Sequence, residues 1–397
     1  MKYDFDRIYS RENTNCSKWD NREKVFGSND VIPMWVADMD FPASRPVVEA
    51  LKERAAHEFY GYTEPGNSLI EAIIERMEKK YNWQIDPEWV VFTPGVIPAL
   101  NIAIRSLIHP GDEIILQEPV YYPFFNTVKQ NGCQISTNKL KYSNGSYDMD
   151  FNDLERKFAP RTGMRDIRSR ARAIILCNPQ NPIGRLWNKE ELTQLGKIVI
   201  GNGATVISDE VHCEILSKGN KHTPFAAISE EFEQNSIVCM APSKTFNLAG
   251  LEASSIIIPN KKLRTNFSEA RVGVGSPNLF GFTAMEAAYR HGDEWLEQVL
   301  DYIYDNVEFT IKYFEEKIPG IKVIRPQATY LLWLDCRELG MEDMALRSFM
   351  RETVRVGLDD GFLFGAGGSG FQRMNIACPR GILQEALNRI ETAVNSL

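Results

Sequence analysis

The feature that most constrains this chain is an alternation between roughly residues 47 and 275: a short apolar strand, a loop carrying Gly, Pro or Asn, then an amphipathic helix. Strands joined through helices lie side by side and parallel, with helices covering both faces of the sheet. Ser44 and Pro46 are start signals for a helix through Val47, Leu51 and Ala55. Val90–Thr93 reads as a strand, Gly95 as a turn and Pro98–Ile108 as a helix. Ile114–Leu116, Ala173–Cys177, Ala204–Ser208 and Ile237–Met240 are further strands, and a helix begins near Lys189.

After about residue 290 the pattern changes. A long helix, Trp295–Lys317, precedes a strand at Thr329–Leu334, a loop at Gly361–Gly370 and a strand at Arg373–Ile376. A chain of 397 residues exceeds one ordinary core. The expectation is therefore an α/β protein: a large, mostly parallel sheet domain flanked by helices over residues 46–288, and a smaller α+β domain over 289–397, completed by 1–45.

Charge and cysteine usage exclude several classes of function. A formal net charge of −8 offers no general attraction to nucleic acid or to an anionic membrane. The opening Met1–Arg7 is charged with no apolar stretch behind it, and runs such as Ile256–Ile258 are too short to span a bilayer. The seven cysteines are scattered, without a Cys-x-x-Cys pair, so reduced thiols in a cytoplasm are expected rather than a disulfide framework or a metal site.

The polar residues of interest, Gly95, Tyr121, Asn181, Asp209 and Lys244, fall at the C-terminal ends of expected strands, where open α/β sheets bind ligands. Taken singly, each has a bland reading. Lys244 in Ser-Lys-Thr-Phe-Asn reads as a surface lysine, Asp209 as a helix cap, and Asn178–Gly184 as turn chemistry. Together they describe a site. A lysine whose pKa falls on desolvation can form a Schiff base. A carboxylate facing a ring nitrogen keeps it protonated as an electron sink. Asn181 is placed to bond a ring substituent, and the helix start at Gly95, Val96 and Ile97 offers amides to a phosphate. Arg373, on a strand of the second domain, suits a two-bond grip on a carboxylate.

These segments, with Tyr62 in Tyr60-Gly61-Tyr62-Thr63, resemble in order the fold-type I pyridoxal-phosphate enzymes over nearly the whole chain. The opening Pro33–Phe41, Ser243–Gly250 and Thr329–Asp335 are similar to the MalY/PatB-type cystathionine β-lyases. The resemblance implies pyridoxal 5'-phosphate on Lys244, with Asp209 on the pyridinium nitrogen, Asn181 and His212 near the ring oxygen, and Tyr121 stacked on the ring. It also implies that Gly95, Val96, Ile97 and Ser243 hold the phosphate, and that Arg373, with Tyr121 and Asn181, contacts the substrate. Tyr62 would reach the phosphate of a neighbouring subunit, implying a homodimer with active sites at its interface.

Three positions depart from ordinary aminotransferases, as the resemblance has them. His212 stands for a tyrosine, Glu252 for a phosphate-binding arginine, and Ala241 for a hydroxyl residue. The implied reaction is α,β-elimination on cystathionine, cysteine or a related S-conjugate, giving thiol, pyruvate and ammonia. Lys244 would take the Cα proton, and Tyr121 or Lys244 would protonate the leaving sulfur. An aminotransferase on the same scaffold, or a regulatory binding protein on this fold, are the competing expectations.

Overall fold

A computed structural model describes residues 2–158 and 171–397. Seven strands form the main sheet in the order Val90–Thr93, Ser254–Ile257, Ser236–Met240, Thr205–Asp209, Ala171–Cys177, Glu113–Glu118, Gln134–Lys139. Every neighbouring pair is parallel except those made by Ser254–Ile257, which runs antiparallel to both of its neighbours. The α/β expectation of a mostly parallel sheet holds, with this one reversed strand added. Its residues were legible only as a short apolar run. The central strands are buried along their length except at Thr205, which explains their runs of Ile, Val and Leu: both faces carry helices.

Helix starts follow the local chemistry. Lys189–Gly201 opens on a capping box, Asn188 accepting from the Glu191 amide at 2.8 Å while Glu191 accepts from the Asn188 amide at 2.8 Å. The helix expected from Pro98 begins two residues earlier, spanning Val96–Leu107. Pro98 is tolerated because amides of the first turn have no intrahelical acceptor to lose. Gly95 precedes it at φ 138°, a backbone conformation that side chains disfavour.

The second part contains a four-stranded antiparallel sheet ordered Lys322–Ile324, Leu331–Asp335, Phe371–Asn375, Asp359–Asp360. Helices Asp293–Lys317 and Arg380–Val394 accompany it. The strand expected from Thr329 starts at Leu331, because Thr329 sits at φ 71° and its Oγ1 accepts the Leu331 amide at 3.1 Å. Residues 1–45 contribute through a parallel pairing of Ile32–Pro33 with Val356–Gly357. The boundaries expected from the sequence both cut helices: 45/46 falls after the first residue of helix Arg45–Ala56, and 288/289 inside helix Leu279–His291.

A strap, Trp35–Phe41, passes between the two parts. Asn247, three residues beyond Lys244, holds Met39 and Phe41 through bonds of 2.9 to 3.0 Å. On the other side Asn375 donates to the carbonyls of Val36 and Asp38 at 2.7 and 2.6 Å. Asp40, buried, gathers Arg11 at 2.7 Å, Lys18 at 2.6 Å and Trp19 Nε1 at 2.9 Å. Burial alone would raise its pKa, but Lys18, Trp19 and Arg11 together hold the carboxyl below its usual range. Among the described residues no helix is long and apolar enough to cross a membrane.

Candidate active site

Register places the chemistry. Cys177, Asp209 and Cys239 are neighbours across three parallel strands, so the loops that follow them, bearing Asn181, His212 and Lys244, leave one sheet edge together. Asp209 is buried, and its carboxyl accepts only the Val211 amide among the described hydrogen bonds, at 3.1 Å. Desolvation pushes its pKa up to about 7, opposed by that bond and by Lys244. Burial likewise lowers Lys244 to about 8, with Arg373 adding to the shift and Asp38 and Asp209 opposing it. The Lys244 ammonium donates to the Ala37 carbonyl at 2.7 Å. Tyr330 donates to the same carbonyl at 3.0 Å.

His212 is buried, and its Nδ1 has no hydrogen-bond partner among the described residues. Desolvation, Lys244 and Arg373 lower its pKa to about 3, so it is neutral at physiological pH. Asn181 accepts from Arg373 Nη1 through Oδ1 at 3.0 Å, leaving its Nδ2 as the donor of that side chain. Tyr121 is half-buried, and desolvation raises its phenol to about 12. It packs edge-on against Phe124, the ring centroids 5.8 Å apart.

Gly95, Val96 and Ile97 form the partly open first turn of their helix, whose first amides are free of intrahelical acceptors. Ser243 is also partly open. Glu252 is exposed at φ 49°, ending a short 3-10 turn. Tyr62 stands apart from all of these, its side chain 112% exposed, next to exposed Phe59 and Tyr60.

The structure tests whether a pyridoxal-phosphate-like group suits these residues. A buried carboxyl with one backbone donor is chemically matched to a cationic ring N–H. An unpartnered neutral imidazole nitrogen and a spare amide donor suit a ring oxygen. The helix start suits a phosphate dianion. The donor set fits.

Residues missed from the sequence lie mostly on the strap and the small sheet. The carbonyls of Trp35 and Ala37 hold Arg373 and Lys244, and backbone acceptors leave no mark in side-chain identity. Tyr330 lay inside a quoted segment without a role. Asp359 pairs with Arg373 across two antiparallel strands, a relation that appears only once their register is known. Tyr122, adjacent to Tyr121, feels the charges of both Asp359 and Arg373.

The family model for class I and II aminotransferases matches residues 29–390. The chain is 42% identical over 393 residues to cystathionine β-lyase PatB of Bacillus subtilis, covering 98% of this chain and 100% of that protein. Cystalysin from Treponema denticola, solved with pyridoxal 5'-phosphate, superposes with a TM-score of 0.95 at 35% identity, covering 100% of both chains. The pyridoxal-phosphate-bound C–S lyase from Staphylococcus hominis superposes with a TM-score of 0.92 at 32% identity, covering 99% of this chain and 98% of that one.

Proposed function

The chain belongs to the class I and II aminotransferase family, and from that premise we propose that it is a pyridoxal-phosphate-dependent carbon–sulfur β-lyase acting on cystathionine, cysteine or a related S-conjugate. The observation that carries the reading is a partly buried amine, Lys244, in the loop beyond Cys239, the cross-strand neighbour of a buried carboxyl, Asp209, that accepts a single backbone amide. Support also comes from the relatives, among them PatB and two pyridoxal-phosphate lyase structures.

Lys244 is the residue to carry the cofactor, Asp209 to face its ring nitrogen, and Asn181 and His212 to bond its ring oxygen. Gly95, Val96, Ile97 and Ser243 would hold its phosphate. When bound, the cofactor supplies an electron sink for the pair left at the substrate Cα. The chain's own residues do the rest. Arg373 orients the substrate through its α-carboxylate. Lys244 Nζ, as a free amine, takes the Cα proton, and at a pKa of about 8 it divides its time between base and acid near neutrality. The ammonium so formed returns its proton to the departing thiolate. Tyr121, raised to about 12, is the poorer acid, so its role is to cover the ring.

Enzymes of this fold generally work as dimers on small molecules. Here the exposed ribbon Phe59, Tyr60 and Tyr62 is the face we assign to a second subunit, with Tyr62 reaching the partner's phosphate site. Seven free thiols, six of them buried, support a reducing, cytoplasmic setting.

The test supplies cystathionine or an S-substituted cysteine to cofactor-loaded protein without any 2-oxo acid. Pyruvate and thiol in equal amounts are expected. Turnover that requires an added 2-oxo acid would mean an aminotransferase. A Lys244→Ala protein that still performed the cellular task would mean a regulatory binding protein.

A further inference from the structure

Arg373 does not wait empty for a carboxylate. Its Nη1 donates to Asn181 Oδ1 at 3.0 Å, and its Nη2 donates both to the Trp35 carbonyl at 2.9 Å and to Asp359. Phe364 covers one face of the guanidinium, whose carbon lies 5.0 Å from the ring centroid. The buried Nε has no partner among the described residues. A carboxylate chelated by two parallel bonds must use Nη2 together with either Nη1 or Nε, because both two-bond edges of the fork include Nη2. Both Nη2 hydrogens are already committed.

Asp359 cannot drift away from this position. It is the cross-strand partner of Arg373 in the small sheet, so the pairing is written into the register. Both side chains are buried. The next carboxylate, Asp360, is occupied by Arg347 and Arg351 rather than by Arg373. Tyr122 lies within electrostatic reach of the pair.

We infer that Asp359 is a specificity-determining residue, holding the edge of Arg373 that a ligand carboxylate must take or share. The pair is neutral as it stands. A bare carboxylate entering beside it brings one negative charge that the Arg373–Asp359 pair does not compensate. An amino acid brings its own ammonium and leaves no excess. The site therefore favours zwitterionic amino acids over 2-oxo acids, which are the second substrates that transamination needs and that elimination does not. Burial also pushes the Asp359 carboxyl above its usual range despite Arg373, which eases its partial release when a zwitterion arrives.

The inference rests on reading Arg373 as the carboxylate anchor, and the experiment separates the two. Cofactor-loaded wild type, Asp359→Asn, Asp359→Ser, Asp359→Glu and Arg373→Ala are assayed for pyruvate release from S-methyl-L-cysteine, with sodium propionate as competitor. Removing the like charge is expected to lower the propionate inhibition constant about tenfold relative to the KM of the amino acid in the Asn and Ser variants. Asp359→Glu, which keeps the charge, should stay near wild type. A purely structural role for Asp359 would weaken propionate and amino acid together in every variant, and that result overturns the inference. So does a propionate constant unchanged in whichever of the Asn and Ser variants folds and binds cofactor. If Arg373→Ala still feels propionate as wild type does, the anchor reading itself fails. If Arg373→Ala loses propionate inhibition while Asp359→Asn gains nothing, only the inference fails.

Discussion

At the edge of the main sheet, the Asp209 carboxyl has one backbone donor, His212 keeps Nδ1 unpartnered among the described residues, and Lys244 leans on a single carbonyl. On the strap side, Asp40 alone gathers Arg11, Lys18 and Trp19, and Asn247 and Asn375 clamp the strap from two directions. One wall is deliberately under-satisfied and the other saturated. Under-satisfaction moves the pKa of Lys244 to about 8 and of Asp209 to about 7, where each is chemically useful. Saturation on the opposite wall fixes the carbonyls against which those groups are aimed. Reactivity and rigidity are assigned to different stretches of chain.

The comparison breaks first at Lys244. Lys244→Ala should lower carbon–sulfur cleavage by at least about 10³-fold, as expected for loss of the only group assigned to proton transfer. Its thermal unfolding should change little, so a large fall in both would show that the reactive wall is also structural. Asp40→Ala tests the opposite wall. Removing one partner of a buried ion pair leaves Lys18 only the more distant Asp38, at 3.7 Å, and costs up to about 3–5 kcal/mol. A urea midpoint within error of wild type would sink the claim that the strap is held by this cluster.

Asp209→Asn sharpens the contrast. A carboxyl whose folded pKa is raised penalises the fold when ionised; the penalty is absent below its unfolded value of 3.8 and fully present above about 7. The cofactor-free Asn variant should therefore be more stable than wild type at pH 8, by on the order of a few kcal/mol, and no more stable at pH 4. Cleavage should still fall. Calorimetry at the two pH values decides it, and a variant less stable at pH 8 contradicts the argument. The smallest effect belongs to Tyr62→Phe. Loss of one bond to a charged group should weaken cofactor binding about tenfold. The melting of cofactor-free protein should not move, because Tyr62 touches little of its own subunit.

Legibility divided along the same line. The sheet wall was readable because each functional side chain follows an apolar strand: Asn181 after Cys177, His212 after Asp209, Lys244 after Met240. Strand ends converge by topology, so spacing along the sequence predicts neighbours in space. The reversed strand Ser254–Ile257 was unreadable as such, since four buried residues carry no period. The strap wall works through the main-chain oxygens of Trp35 and Ala37, which any residue would supply. The partnership of Asp359 with Arg373 depends on antiparallel register between short strands, which neither segment encodes alone.

The parallel pairing of Ile32–Pro33 with Val356–Gly357 also has a bearing on biosynthesis. The strap precedes most of the described fold in the chain, and the donor to its Trp35 carbonyl is 338 positions later. Until Arg373 and Asn375 have been made, the carbonyls of Trp35, Val36 and Asp38 lack these donors. Nascent chains must then keep an apolar N-terminal stretch, with Met34, Met39 and Phe41, shielded while the sheet forms. A chain that stops before Arg373 carries Lys244 without the donors that hold the carbonyls of Trp35, Val36 and Asp38.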